Sequence, residues 1–323
     1  MLAVRDLRVT FPRTGGDFAA VDGVGFDVAP GEFFVVIGES GSGKSMTGSA
    51  IMGLTPPSAR VAGSIRLHGR ELAGLPDVAM RPIRGREIGL VHQDPLSAMN
   101  PARPVGAQIA EALHIHRLAD RQEAARRAVA LLARVHVPDA SRVAQAYPHE
   151  ISGGMRQRAM IAMALACQPG LLIADEPTTA LDVTIKAQVL ALLAELRQEM
   201  GLAVLLITHD MGVVAELADR ILVMYAGRVA EIGSAESVLR APRHPYTRAL
   251  MQSAAISELP FKQLLPAIAG TPPGHATRPS GCAFHPRCPR AEADCAVVVP
   301  PLQPLPAGAL ACHHPLARAA VPA

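Results

Sequence analysis

The chain has 323 residues, half of them hydrophobic, and a net charge of only +3. That length allows one large domain or two with a sizeable core. The weak charge, the 3% aromatic content and the absence of Trp argue against a nucleic-acid surface, which needs a basic stripe and stacking rings, and no apolar run is long enough to span a bilayer.

Met1-Leu2-Ala3-Val4-Arg5-Asp6-Leu7 reads as a first strand rather than a signal peptide, so a soluble, cytoplasmic chain is expected. Phe33-Phe34-Val35-Val36-Ile37 is a continuous apolar run, the pattern of a buried parallel strand. It leads into Gly38-Glu39-Ser40-Gly41-Ser42-Gly43-Lys44-Ser45, a full match to the phosphate-binding loop GxxxxGK[ST], and a helix is predicted from Lys44. The glycines let successive backbone N–H groups turn toward an anion, and the helix N-terminus adds partial positive charge. Lys44 is then expected at the β- and γ-phosphates of a nucleotide, and the Ser45 hydroxyl on Mg²⁺. Lys44 is one of only three lysines in a chain otherwise basic through arginine.

A helical insertion is expected over about 95–160. Ala107, Ile109, Ala112 and Leu113, then Val129, Leu131, Leu132 and Val135, recur at roughly helical spacing. Ile151-Ser152-Gly153-Gly154-Met155-Arg156-Gln157-Arg158 offers a second anion site, a Ser and two glycines before a helix N-terminus. Leu171-Leu172-Ile173-Ala174-Asp175-Glu176 is an apolar strand ending in two carboxylates. Asp175 is placed to hold Mg²⁺ through water, and Glu176 to polarise an attacking water. Ile185, Val189, Leu192, Leu196 and Met200 form one apolar helix face, read as core. His209 follows the predicted strand from Ala203 to Ile207.

Beyond about residue 260 the prolines cluster, which disfavours long helices and central strands. Four of five cysteines lie there: Cys282, Cys288, Cys295 and Cys312; the fifth, Cys167, sits in an apolar segment and reads as packing. In a cytoplasmic chain such clustering argues for metal rather than disulfides. The CysX5CysX6Cys spacing lacks the CxxC pairs of a zinc ribbon. It permits a four-thiolate [4Fe–4S] cluster, while His285, His313 and His314 keep a mixed zinc site open, as is a tail without metal.

Taken together, the phosphate loop, Ser152-Gly153-Gly154 and Asp175-Glu176 resemble the motifs of ATP-binding cassette (ABC) ATPases. Tyr147-Pro148-His149-Glu150 before the SGGMRQR stretch, Met160 to Leu165 after it, Gln93-Asp94-Pro95 and His244-Pro245-Tyr246-Thr247 resemble the peptide-importer branch, in the form of the D-type ATPase. The resemblance runs from Leu2 to about Cys312. It implies an α/β fold, a P-loop NTPase cassette with a helical subdomain and a Cys/Pro-rich C-terminal extension. The nucleotide-binding domain is expected over 1–250, with the extension over 251–323. It further implies that Ser152, Gly153 and Gly154 face a nucleotide held by a partner cassette, that Gln93 senses Mg²⁺ and water, that Asp182 of the Ala180-Leu181-Asp182 D-loop reaches across the dimer, and that His209 lies near the γ-phosphate. An adenine-stacking role falls to Phe11, with Phe18 as rival. Ile151 and Met155 depart from the usual Leu and Gln; the first conserves volume, the second removes a polar contact.

The function implied is ATP hydrolysis that energises an importer of peptides or a related small solute. ATP and Mg²⁺ are the implied cofactors. The implied partners are two transmembrane permease subunits, a paralogous ATPase in a nucleotide sandwich dimer, and an extracytoplasmic solute-binding protein, with the chain at the cytoplasmic face of the inner membrane. ABC ATPases that act on DNA or ribosomes are the other class, and they usually carry coiled-coil or zinc insertions or two cassettes. This chain has one phosphate loop, no sustained heptads and no basic stripe.

Overall fold

The computed structural model describes residues 1–14, 16–178, 182–254, 268–274 and 277–317. Ala180 and Leu181, expected in the D-loop, lie outside the described residues. In chain order the described strands are β1 (Leu2–Phe11), β2 (Phe18–Val28), β3 (Phe33–Ile37), β4 (Arg60–Leu67), β5 (Arg70–Glu71), β6 (Ile88–Val91), β7 (Leu171–Asp175), β8 (Ala203–Ile207), β9 (Arg220–Tyr225), β10 (Arg228–Ser234), β11 (Gln303–Leu305) and β12 (Gly308–Leu310). The chain divides into two compact units.

The first unit comprises residues 1–28, 33–74 and 207–323. One of its sheets runs β2-β1-β4-β5 and is antiparallel; the other part of its β structure runs β11-β12-β10-β9-β3. β3 lies parallel to β9, with Val35 opposite Ile221 and Ile37 opposite Val223. All five residues of β3 are buried, as a strand covered on both faces requires. β1 instead alternates, burying Leu2, Val4, Leu7 and Val9 on one face. The tail joins this unit directly, because β12 pairs with β10, matching Ile232 to Ala309.

The second unit comprises residues 29–32 and 75–206. It holds β8-β7-β6, with β6 parallel to β7, and most of the long helices. Their starts are set by short polar side chains that accept orphan backbone N–H groups. Asp120 caps Arg121–Arg134, Ser152 caps Gly153–Ala164, and Asp182 caps Val183–Met200. Gly201, left-handed at φ 61°, ends the last of these.

The apolar stripes are partly displaced from their sequence-based register. In Val183–Met200 the buried positions are Val189, Leu190, Leu192, Leu193 and Leu196, while Ile185 and Met200 are half-buried. Packing on more than one side widens a stripe beyond its narrow helical face. In the helix Val105–Ile115 the buried line is Val105, Ile109 and Leu113, and Ala107 is exposed.

Burial also creates a pH-sensitive group in the first unit. His244 is buried, its pKa is driven down to about 4, and its Nδ1 accepts the Tyr246 N–H at 3.0 Å. The unfolded chain titrates near the ordinary value of about 6.5. Between those values the unfolded chain binds a proton that the folded chain refuses, so stability falls as pH drops from about 6.5 to about 4. The full effect is about 3 kcal/mol. Urea midpoints of the full chain should fall across this window, and the slope should flatten in His244→Asn, whose side-chain oxygen can still accept the Tyr246 N–H. Equal slopes in both proteins would show that another group titrates.

Candidate functional site

β3 delivers the phosphate loop, and the helix Lys44–Ile51 leaves it. Three glycines make the turn: Gly38 at φ 151°, Gly41 at 77° and Gly43 at 98°. At Gly38 the constraint is steric as well, because a Cβ there would sit 2.2 Å from the Met224 carbonyl oxygen. Lys44 is 5% exposed, and its ammonium folds back over the loop, donating to the carbonyl oxygens of Gly38 at 2.8 Å and Glu39 at 3.0 Å. Ser42 N–H donates to Glu39 O, and Ser42 O accepts from Gly227 N–H. Ser42 is buried, whereas Ser40, Gly41 and Ser45 are exposed. The result is a glycine turn at a helix N-terminus with a charge-bearing lysine folded over it, suited to a polyphosphate.

Phe11 and Phe18 belong to the same unit and face each other across the β1–β2 pair. Both are half-exposed, and the Arg13 guanidinium lies 5.8 Å from the Phe18 ring. His209 is exposed after β8 and precedes Asp210, which caps Met211–Leu217 by accepting from Gly212 N–H.

In the second unit, β7 buries Leu171 to Ala174 and leaves Asp175 half-exposed at its end. Glu176 adopts a left-handed backbone at φ 47°, uncommon for a residue with a Cβ and a conformation that recurs at active sites. Its Oε2 accepts from Gln93 Nε2 at 3.1 Å. The structure therefore brings these two side chains together although they are 83 residues apart. A carboxylate so oriented can take a proton from a water.

Ser152 Oγ accepts from Met155 N–H at 3.3 Å and starts the helix Gly153–Ala164. Gly153 is exposed, with nothing within 4 Å of where a Cβ would stand, so this helix N-terminus is open on that side. Gly154 packs against Ile185, where a Cβ would meet the side chain at 3.0 Å. Ile151 is buried and Met155 half-exposed. Asp182 is exposed, and its carboxylate accepts from Ile185 N–H at 2.9 Å. Cys167 is buried in the turn after the helix, and burial pushes its thiol pKa up.

The tail cysteines converge. Cys282 N–H donates to Cys295 O at 2.8 Å. Burial raises the Cys282 thiol, and the nearby Cys295 and Cys288 raise it further. Cys312 is pushed up to about 11 by burial, with Cys282, Cys288 and Cys295 adding to the effect. Around them, His314 Nε2 meets Asp294 Oδ1 at 2.8 Å, His313 Nε2 meets Val298 O at 2.9 Å, and His285 Nδ1 meets Cys282 O at 3.0 Å. Among the described residues, one set of ligand atoms lies within 4.8 Å of one another: Asp294, Cys295 and His314.

Sequence reading missed the residues that tie this tail to the loop. Arg287 forms a fork onto the Glu39 carboxylate, at 2.7 and 3.0 Å. Tyr246 OH accepts the Glu39 N–H at 2.8 Å. Asp22 is gripped by Arg8, Arg228 and Arg278, the last from the tail. No local spacing signals contacts of such sequence separation.

The ABC transporter family model matches residues 21–179, and the model for the oligopeptide/dipeptide transporter C-terminal region matches residues 230–295. A putative peptide import ATP-binding protein of Brucella melitensis is 50% identical over 314 residues, covering 94% of this chain and 93% of that protein. The oligopeptide transport ATP-binding protein OppD of Salmonella typhimurium is 46% identical, covering 98% and 94%. The dipeptide transport ATP-binding protein DppD of Bacillus subtilis is 48% identical, covering 93% and 90%. Among solved structures, a dimeric ATP-binding cassette in a post-hydrolysis state, bound to ADP and Pi, aligns with a TM-score of 0.66 at 28% identity, covering 73% of this chain and 99% of that one.

Proposed function

The chain belongs to the ATP-binding subunits of ABC transporters, in the branch of the oligopeptide and dipeptide import proteins, and on that premise we propose that Lys44 and Glu176 are the residues through which it binds and hydrolyses the ATP that drives import. It is an ATPase, and it energises the import of peptides or a related small solute. The observation that carries the residue assignment is the buried Lys44 ammonium, held over a glycine loop at a helix N-terminus.

Gly38, Glu39, Ser40, Gly41, Ser42, Gly43 and Lys44 cradle the phosphates, with Lys44 at the β- and γ-oxygens. Ser45, Gln93 and Asp175 would hold Mg²⁺, Asp175 through water. A hydroxyl, an amide oxygen and a carboxylate are the hard oxygen donors that cation requires. Bound there, Mg²⁺ supplies charge neutralisation on the phosphates. Glu176 accepts the proton of the attacking water, Gln93 orients the carboxylate, and His209 stabilises charge on the γ-phosphate. Phe11 stacks on adenine. Ser152, Gly153, Gly154 and Asp182 serve the nucleotide of a partner cassette. Residues 1–250 form the nucleotide-binding domain, with its helical subdomain at about 95–160, and residues 251–323 the extension.

The partners are two transmembrane permeases, a paralogous ATPase and an extracytoplasmic solute-binding protein, with this chain peripheral on the cytoplasmic face of the inner membrane. No helix among the described residues is long and apolar enough to cross a membrane. Cys282, Cys288, Cys295 and Cys312 would hold a [4Fe–4S] cluster, which would staple the tail. Support comes from the four thiols gathered in one tail and the Cys282–Cys295 backbone bond.

One experiment tests these points. The tagged full chain is purified from gently solubilised membranes, co-purifying proteins are identified by mass spectrometry, and iron, sulfide and zinc are quantified. Two multi-spanning proteins, a paralogous cassette and about four irons with four sulfides per chain are expected. Ribosomes or nucleic acid in place of membrane proteins would overturn the importer reading. Stoichiometric zinc, or no metal, would overturn the cluster.

A further inference from the structure

The loop holds the carbonyl of its second residue, Glu39, but the carboxylate and N–H of that residue are held from outside it. The Glu39 carboxylate takes both forks of the Arg287 guanidinium, Nη1 at 2.7 Å and Nη2 at 3.0 Å. The Glu39 N–H donates to Tyr246 OH, and Tyr246 is fully buried. The peptide unit joining Gly38 to Glu39 is therefore fixed at both ends, its N–H by Tyr246 and its C=O by Lys44 at 2.8 Å. The lysine meant for the phosphates thus rests on a peptide that Tyr246 orients, and the tail reaches that peptide through Arg287 and the Glu39 side chain.

Arg287 is itself strongly constrained. Its side chain is 4% exposed. Nε donates to Ala269 O at 2.8 Å, Nη1 to Tyr225 OH at 3.1 Å, and Nη2 to Ile268 O at 3.3 Å. The guanidinium lies 5.9 Å from the rings of both Tyr225 and Phe284. It sits in the short turn His285–Arg287, closed by His285 N–H to Cys282 O and Cys288 N–H to His285 O. The first two tail cysteines thereby bracket the loop that presents it.

Charge gives this arrangement a consequence. Glu39 puts a carboxylate into a loop that must accept a polyanion. Paired with Arg287 it is neutralised; unpaired, it repels phosphate. We propose that Arg287 is a positioning residue of the phosphate loop, acting through Glu39 to orient the Gly38–Glu39 peptide and cancel the carboxylate, so that the cysteine-bracketed tail sets the affinity for MgATP. This rests on the reading of Gly38–Ser45 as the nucleotide site.

The test is a double-mutant cycle on MgATP binding to the purified full chain, by titration calorimetry, with KM and kcat measured in the assembled transporter. Arg287→Met should weaken MgATP about tenfold and raise KM for ATP with kcat little changed. The defect should shrink as ionic strength rises. Adding Glu39→Gln to Arg287→Met should restore affinity to within about threefold of Glu39→Gln alone, because the orphaned charge is gone. A structural role in the tail alone would leave the double variant no better than Arg287→Met, and that result would overturn the proposal. Arg287→Lys and Tyr246→Phe guard against misfolding. Lysine keeps the charge without the fork and should recover part of the affinity, and phenylalanine should cost about threefold through the Glu39 N–H alone. Wild-type affinity in both would also overturn it. Lys44→Ala, run in parallel, separates the two levels. If it binds MgATP normally the nucleotide-site reading fails, and if only the Arg287 variants bind normally the positioning role fails.

Discussion

Glu176→Gln is expected to leave MgATP binding within about threefold of wild type while lowering steady-state hydrolysis in the assembled transporter by about 10² to 10³. The substitution is nearly isosteric, and its side-chain oxygen can still accept the Gln93 Nε2–H that Glu176 receives at 3.1 Å. The left-handed backbone at φ 47° is no more costly for Gln than for Glu. What disappears is the ability to take a proton from water. Solute uptake should vanish with hydrolysis, and ATP should accumulate on the complex. Hydrolysis at the wild-type rate would remove Glu176 from the role of general base.

Lys44→Ala should abolish nucleotide binding at the outset, with affinity for MgATP falling by about 10² or more. An ammonium donating to phosphate oxygens in a largely buried place is worth about 3 kcal/mol. Lys44 is 5% exposed, so water cannot stand in for it easily. The Gly38 carbonyl would lose its Lys44 donor and the Glu39 carbonyl would keep only Ser42 N–H, which loosens the loop as well. Lys44→Arg should fail too, since the wider planar guanidinium does not fit a site shaped to a compact ammonium. Thermal unfolding without nucleotide, compared with wild type, shows whether the fold survives. Unchanged MgATP affinity in an intact Lys44→Ala protein would refute the assignment of the loop.

Much of the ATP-binding apparatus was legible because it is local. A glycine loop between an apolar strand and a helix is specified within a dozen residues, and Gly38 to Ser45 form that loop in the structure. Leu171 to Asp175 likewise declare a buried strand with acids at its end. Ser152, with two glycines after it, precedes a helix N-terminus that the structure shows it capping. Periodicity was less reliable at its edges. Ile185 and Met200 proved half-buried and Leu190 and Leu193 buried, because the neighbours packed around a helix decide how wide its apolar face must be.

The sequence by itself determined that this is a nucleotide-binding cassette of the peptide-import kind, since phosphate chemistry needs fixed residue types at fixed short spacings. It also determined that the tail is rich in thiols and proline. The contact between that tail and the loop became visible in the folded chain alone. Arg287 and Glu39 are 248 residues apart, and their pairing depends on how β12 joins β10 and how the cysteine loop closes on Tyr225 and Phe284. A pattern of spacings cannot encode such a contact, because it exists only once distant segments have been brought together and the charges that would repel a phosphate have been matched.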